Sequence, residues 1–373
     1  MSTQSYLSTG REPVEVLAGD LAQERAQQIL NLTRPLIERK QIRTWLDFLG
    51  AGLRISGREV PDDPRTIVDM SRAVAGVGAA IAALPGSRIL AAYRDVADTT
   101  EGWAGVVAAE NFRAFTLYVA HTAGRLHLLH RGSTAEQVSL DLLGQNIQVA
   151  RYAGSAVLSE EDVIDGRELN VSLALFDELG RAAAGLKPEL VYAALMSATT
   201  LAGDGVALFD AATHGNLATG GGSALGTDTL DAGVAAVEGQ TLSDEEGNSI
   251  PAGIPARYLI VPPAKKGLAR RLAAAMWLGD GGELVVRSEP RLSVGVVNPA
   301  NGEAVEGSAT AWYLAGPAAV RPSIVVGALG GRLEPRIRTS ELTEGQWGLV
   351  YDVSLDLGVA ALDWRPMYRA AGA

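Results

Sequence analysis

The chain contains no cysteine, which excludes a disulfide framework, thiolate metal sites, iron–sulfur clusters and cysteine nucleophiles. Histidine is nearly as scarce: four in 373 residues, His121, His127, His130 and His214, leave little for metal or acid–base chemistry. Lysine occurs only as Lys40, Lys187, Lys265 and Lys266. No run of about 18 apolar residues is present, the length a membrane-spanning helix requires, so no membrane partner is expected. Met1–Ser5 is not a basic stretch leading into an apolar one, so no ordinary secretory signal is expected either. A net charge of −11 argues against a broad surface for neutralising nucleic-acid phosphates. Residues 1–75 carry 10 basic and 10 acidic side chains, so the whole acidic excess lies beyond them. What is abundant is small: 43 glycines within a composition that is 47% hydrophobic describe a closely packed globular protein. At this length about 75% of the unfolded surface can be buried, and no covalent staple is needed.

Residues 14–53 place Val14, Leu17, Leu21, Ile29, Leu32, Leu36, Ile37, Trp45, Leu46 and Leu49 at helical spacing, with Gly50 and Gly52 expected to end the pattern. The Pro61–Pro64 turn makes this first segment look separable. A second amphipathic stretch, Thr66–Leu84, is expected to stop at Pro85-Gly86. From Asn111 to Ala153 the period becomes twofold: Phe115, Leu117 and Val119 alternate with Thr116 and Tyr118, and Val138, Leu140 and Leu142 with Ser139 and Asp141, before Ile147 and Val149. This predicts a long β-hairpin ribbon whose apolar face needs cover from a sheet, a helix or a neighbouring subunit, because an isolated ribbon is marginal in water. Ser159-Glu-Glu-Asp162 reads as a capping box opening a short helix. The longest helical pattern runs from Leu169 to Leu195, with a kink or break expected at Gly185 and Pro188. An α/β block follows: a helix at Asp228–Glu238, a polar loop at Ser243–Asn248, a strand Tyr258–Val261 and a basic-flanked helix Ala264–Trp277. Strands are expected near Leu284–Val286, Leu292–Val297, Ala311–Leu314 and Ile324–Val326, and in the tail at Trp347–Leu357 and Val359–Trp364.

The chemistry-bearing residues form no recognisable reaction centre. Gly76-Val-Gly78 has no strand ahead and no acid placed for a ribose, and Gly220–Gly222 lacks the Lys-Ser/Thr of a phosphate loop. Glu160, Glu161, Asp162 and Asp165 read as a solvated helix start rather than a carboxylate pair. His121 and His127 fall on a different strand face from His130, which argues against a three-ligand metal set. His214 has no nucleophile elbow and no fixed acid partner, and bonding to local turn backbone is expected for it. Lys265 and Lys266 read as solvated charge at a helix start. The expectation is a protein that is not an enzyme, with no catalytic, cofactor-binding or metal site and no cofactor.

Four stretches in order carry a resemblance. Leu175–Leu195 followed by Gly205–Gly220 looks like the spine helix and following loop of tailed-phage major capsid proteins, closest to Mu-type head subunits and their protease-fused relatives. Pro255–Ala264 resembles that family's axial-domain strand and Gly358–Trp364 its closing strand. The match covers about Thr66 to the C-terminus. It implies an α+β fold of the Hong Kong 97 type: an N-terminal arm or scaffold-like segment (1–75), the start of a peripheral domain (76–97), an extended β-hairpin loop (98–151), a peripheral domain with a spine helix (152–226), an axial domain (227–340) and a return to the peripheral domain (341–373). The ribbon would then lie across a neighbouring subunit.

The same resemblance implies a major head protein of a virion capsid, assembled in the bacterial host cytoplasm as hexamers and pentamers of an icosahedral shell around double-stranded DNA. Its partners would be further copies of itself, a portal protein, a decoration or scaffolding protein and a maturation protease. Some relatives lock the shell through a lysine on the extended loop; no lysine lies between Lys40 and Lys187, so no such cross-link is expected. Residues 1–75 are expected to be retained as an arm that clasps neighbours. An encapsulin-like compartment, which shares the fold but packages an enzyme, is the alternative.

Overall fold

The computed structural model describes residues 13–122, 128, 130–131, 134, 141–165, 168–244, 246–276, 284–341 and 348–372, with the side chains of 13–19 and 75 excepted. Its helices are α1 (Pro13–Glu38), α2 (Trp45–Ile55), α3 (Pro64–Ala73), α4 (Ala75–Asp95), α5 (Glu160–Ile164), α6 (Leu169–Met196), α7 (Thr227–Glu238), α8 (Lys266–Ala275) and α9 (Arg291–Val294). The strands are β1 (Ala104–Ala109), β2 (Phe115–Ala120), β3 (Leu142–Ile147), β4 (Ala150–Ser159), β5 (Leu217–Ala218), β6 (Thr241–Ser243), β7 (Ser249–Pro251), β8 (Tyr258–Val261), β9 (Val285–Ser288), β10 (Val296–Val297), β11 (Ala304–Val305), β12 (Trp312–Ala315), β13 (Ile324–Leu329), β14 (Arg336–Glu341), β15 (Gly348–Ala361) and β16 (Met367–Ala370). The class is α+β. The chain divides into two compact units: unit 1 is Met1–Val96, Ala153–Ala184 and Glu334–Leu355, and unit 2 is Ala97–Tyr152, Gly185–Leu333 and Asp356–Ala373.

Unit 1 is helical around one core. Ile29, Trp45, Phe48, Leu53 and Val68 are buried there together with Phe176 and Tyr351, so the first segment, expected to be separable, is built into this unit. Fully burying side chains of this size contributes about 1.5–3 kcal/mol each. Helix α2 starts at a capping box, in which Thr44 Oγ1 accepts from the Asp47 amide at 3.1 Å and Asp47 Oδ2 accepts from the Thr44 amide at 3.0 Å. Contrary to expectation, Gly50 and Gly52 do not end it. They are contact points: a methyl on Gly52 would sit 3.1 Å from Val77 Cγ1, so the bare backbone lets α4 approach. Asp63 caps α3, accepting from the Thr66 amide at 2.9 Å, with Pro64 at the first helical position.

Helix α4 likewise runs through Pro85-Gly86, where the sequence pattern stops. Over Gly76–Asp95 it is long and apolar enough to cross a membrane, but Val77, Ala80, Ile81, Leu84 and Ile89 are buried in the unit 1 core. The Ser159–Asp162 capping box forms as expected and opens α5. In the sheet of this unit, β14 pairs antiparallel with the first part of β15, from Arg336 opposite Ser354 to Glu341 opposite Leu349.

In unit 2, β13 pairs parallel with β1 and antiparallel with the later part of β15, from Ile324 opposite Ala361 to Ala328 opposite Leu357. The two tail strands expected around Gly358 are one strand. A Cβ on Gly358 would collide with the Gln148 carbonyl, so glycine serves close backbone approach here and not a break. A second sheet has the order β5-β16-β12-β8-β9 and carries α7 and α8 on one face, with Leu230, Val234, Val237, Ala269 and Ala273 packed on Leu259, Trp312 and Tyr368. The strand expected at Leu292–Val297 is instead the short helix α9 and the two-residue β10. The Ser293 and Val294 amides bond back to the Pro290 carbonyl, and Gly295, at φ 89°, ends the turn.

Helix α6 is continuous over 28 residues, without the expected break at Pro188. Proline there removes the donor to the Ala184 carbonyl. At the neighbouring Gly185 carbonyl, Arg291 Nη2 donates from outside the helix at 3.4 Å.

Candidate functional site

The feature that the sequence marks most strongly is the ribbon, and its root is described. Strands β2 and β3 pair from Phe115 opposite Ile147 to Ala120 opposite Leu142. Directly opposed residues share a face, so Phe115, Leu117, Val119, Leu143, Gln145 and Ile147 form one side. That side is covered by unit 2 itself: Leu143 packs over Gly203, Gln145 Oε1 accepts from the Ala202 amide at 2.9 Å, and Ile147 packs over Gly327 of β13. The apolar face that lacked a partner in the sequence therefore has one in its own chain at this end. The opposite face is open, with Tyr118 64% and Leu142 54% exposed. Val138 and Leu140, read as part of the returning arm, lie outside the described residues, as does His127.

Beyond the paired strands, the ribbon is tied down by a buried polar ladder. Arg321 donates to the Ala120 carbonyl and to Asp363 Oδ2. Asp363 Oδ1 also accepts from Arg365 Nη1 at 3.2 Å, and Arg365 donates through Nε to the Thr241 carbonyl (3.0 Å) and through Nη2 to His121 Nδ1 (3.0 Å). Burial lowers the Arg365 pKa while Asp363 opposes the shift; the guanidinium remains charged. His121 accepts here, so its Nδ1 carries no proton.

The ladder continues through rings. The Arg365 guanidinium lies 4.7 Å from the centre of the Trp364 ring, and His214 stacks on that ring at 4.3 Å and 9°. His214 Nε2 is 2.9 Å from Asp204 Oδ2. The local-backbone partner expected for His214 is thus corrected to a carboxylate and an indole. A histidine–carboxylate pair is also found in hydrolytic triads, but there the carboxylate takes Nδ1; here Asp204 is on Nε2, and His214 Nδ1 is buried with no hydrogen-bond partner among the described residues. What the ladder does chemically is hold: it joins Ala120 and His121 at the ribbon root to β6, to the 204–216 loop and to the segment after β15. No spacing in the sequence announces it, because His121 and Arg365 are 244 residues apart.

A second buried network fixes the approach to β1. Lys187 Nζ is 2.6 Å from Asp98 Oδ2, and Asp98 Oδ1 accepts from the Thr100 amide and hydroxyl. Burial pushes the Asp98 pKa up, but the Lys187 and Thr100 bonds outweigh it and leave the group below its ordinary value. Thr99 Oγ1 donates to Glu289 Oε2 at 2.5 Å and receives from the Tyr192 hydroxyl at 3.1 Å. Burial pushes the Tyr192 phenol far up, so it stays a donor. A groove of about 530 Å³ lies between Gly105 and Val107 of β1, Leu117 and Tyr118 of the ribbon, and Pro322 and Leu362. Apart from the Tyr118 phenol it has no acid–base side chain among the described residues.

The sequence of residues 144–370 matches the family model described as phage capsid protein. The chain belongs to the phage capsid protein family. The matched span holds α6, the whole of the β5-β16-β12-β8-β9 sheet and its helices, and most of the ladder. No curated protein matches this member of the family. Solved structures similar to it include a virus-like particle from Pyrococcus furiosus, at 9% identity and a TM-score of 0.45, covering 76% of this chain and 96% of that one. The capsid of Ralstonia phage GP4 is similar at 12% identity and a TM-score of 0.44, covering 69% and 82%. An encapsulin complex from Synechococcus elongatus PCC 7942 is similar at 11% identity and a TM-score of 0.42, covering 74% and 88%.

Proposed function

We propose that this phage capsid protein is the major head subunit of a tailed phage, closest to the Mu-type branch, with the Hong Kong 97-type fold. Many copies assemble as hexamers and pentamers into an icosahedral shell around double-stranded DNA, in the cytoplasm of a bacterial host. The observation that carries this reading is the family match, which spans residues 144–370 and so the greater part of the chain. In this reading the ribbon is the extended loop, α6 the spine helix of a peripheral domain, and the sheet with α7 and α8 the axial domain. The portal, a maturation protease and a scaffolding or decoration protein are its partners. Stability of the shell comes from number: interfaces of roughly 800 Å² per partner are individually modest, and a closed shell multiplies them.

Acidity suits the role, since a wall that neutralised phosphates broadly would hold the packaged duplex. Size-exclusion chromatography and negative-stain microscopy of the expressed chain test the reading. Megadalton shells are expected; a monomer or dimer under every assembly condition overturns it. Native particles containing DNA and a portal vertex support a phage head, whereas a protein cargo without a portal would establish the encapsulin-like compartment instead.

A further inference from the structure

Helices α7 and α8 lie side by side on one face of the same sheet, α7 over β16 and β12 and α8 over β8 and β9. Their exposed sides carry opposite charge. Helix α7 presents Asp228, Asp231 and Glu238 and no base; α8, with the residue before it, presents Lys265, Lys266, Arg270 and Arg271 and no acid. Lys266, Arg270 and Arg271 are exposed and Lys265 half-buried.

Asp228, in the first turn of α7, suits that helix's own dipole, but Asp231, Glu238 and the basic stripe of α8 are not explained by the helices that bear them. Lys266 and Arg270 stand four residues apart, and Asp228 and Asp231 three apart, spacings at which like charges destabilise a helix. Lys265 and Lys266 sit at the start of α8, the positive end of its dipole, where cations are disfavoured. The two helices do not neutralise each other within the chain: none of these seven side chains is in an ion pair with a described residue. Glu238 only accepts a long bond from the Ala256 amide, at 3.4 Å.

Helix α8 lies toward the β9 edge of the sheet and α7 toward the β5-β16 edge, so copies set edge to edge bring the basic stripe of one beside the acidic stripe of the next. We infer that α8 of one copy docks against α7 of the next, a heterologous contact that propagates around a ring and closes it. The inference rests on the capsid-shell reading and names the charge contact that sets subunit order within a capsomer. A nucleic-acid backbone would engage α8 alone and leave the acids of α7 without a role. A net charge of −11 also favours an occupant that brings acids in the right place over a duplex that brings them everywhere.

The experiment is charge exchange in the full-length chain, read by size-exclusion chromatography and negative-stain microscopy. Circular dichroism and thermal unfolding check that each variant folds. The variant Lys265→Glu/Lys266→Glu/Arg270→Glu/Arg271→Glu, which reverses the whole basic stripe, and the variant Asp228→Lys/Asp231→Lys/Glu238→Lys, which reverses the acidic one, should each lower the assembled fraction roughly tenfold or more. Combining all seven substitutions in one chain should restore assembly. Mixing the two reversed variants is more specific, because each α8 then matches only the α7 of the other variant. Copies must alternate, so six-membered rings can close and five-membered rings cannot: hexamers or open sheets are expected, without closed shells.

Assembly of both reversed variants at wild-type levels, or failure of the seven-substitution chain while the wild type forms shells, overturns the inference and leaves the capsid reading standing. A wild-type chain that never assembles overturns both. A 30-base-pair DNA duplex is the control ligand. If wild-type α8 binds it, the variant with all four α8 bases replaced by Glu loses it and the seven-substitution chain stays unassembled, α8 is a nucleic-acid surface and the inference fails.

Discussion

The Tyr351 hydroxyl donates a 2.9 Å hydrogen bond to the Ile81 carbonyl, the carbonyl that Pro85 leaves without its helical donor. In an uninterrupted helix the amide four residues on would fill that position. Proline has no amide hydrogen, and β15 supplies a buried phenol in its place, with the ring held edge-on against Phe176 at 4.9 Å. Burial pushes the Tyr351 phenol well above its ordinary value, so the donor persists across the usable pH range. This is why α4 continues through a dipeptide that in isolation ends helices.

Removing the phenol should therefore cost more than an ordinary surface hydroxyl. Tyr351→Phe is expected to lower unfolding stability by about 1–3 kcal/mol, because a buried carbonyl is left unpaired. Adding Pro85→Ala restores a main-chain donor and should recover much of that loss. Urea titration of the four corners of this cycle checks it; strict additivity of the two changes would refute the pairing.

Gly180 of α6 lies against α4, where a methyl group would collide with the Ile89 carbonyl and approach Ala92 Cβ to 2.9 Å. Gly180→Ala should thus destabilise unit 1 by about 1–3 kcal/mol despite the higher helix propensity of alanine. A rise in melting temperature for this variant would show that the helices separate without cost.

The ladder at the ribbon root predicts an asymmetry. Asp363→Asn leaves Arg321 and Arg365 facing each other with no carboxylate and is expected to cost about 3–5 kcal/mol, as for other buried pairs with one partner removed. His121→Gln keeps an acceptor for Arg365 and should be close to neutral, whereas His121→Leu should not be. Hydrogen exchange over residues 115–122 reads the result: faster exchange in His121→Leu than in His121→Gln is expected, and equal rates would remove His121 from the ladder.

Lys187→Met should raise the Asp98 pKa and cost about 2 kcal/mol at neutral pH, a value typical of a hydrogen bond to a charged group. Because the folded-state pKa of Asp98 lies below its unfolded value, its contribution is present above about pH 4 and is lost as the pH falls through the folded value. The wild type and the variant should therefore converge in stability at low pH. A constant difference from pH 7 to pH 2 would contradict the assignment.

Deleting residues 123–137 should leave circular dichroism and thermal unfolding close to those of the intact chain, because the root is held by contacts outside that stretch, while abolishing shell assembly. Unchanged assembly would refute the ribbon's proposed role.

Much of the architecture is legible in the sequence where local signals and tertiary packing agree. The Ser159–Asp162 capping box, the alternation at Phe115–Val119 and the apolar spacing of Leu169–Leu195 each lead to the element found. The failures share a cause. Gly50, Gly52, Pro85, Gly185, Pro188 and Gly358 were all expected to break elements, and each lies inside a continuous one. Those with a visible reason sit where a partner's backbone or side chain comes close or, at Pro85, where an outside donor replaces a lost amide. Strands β1 and β14 had no readable alternation: Ala104–Ala109 is made of small residues, and Arg336–Glu341 has Ile337 as its one strong apolar side chain. The ladder was invisible because its members are brought together from five distant stretches; of the few histidines and lysines that composition singled out, His121 and His214 belong to it and Lys187 to the Asp98 network.

The ribbon is seated in its own subunit before it reaches anything else. Leu143 on Gly203, Ile147 on Gly327 and the Arg321–Asp363–Arg365–His121 ladder make its root a clamped end. A beam clamped at one end delivers force and torque to its support, so a load taken up along its length is borne by β13, by β6 and by the segment after β15 rather than dissipated at a free hinge. In the proposed shell, a neighbour bearing on the ribbon would therefore be registered in the subunit's own sheet.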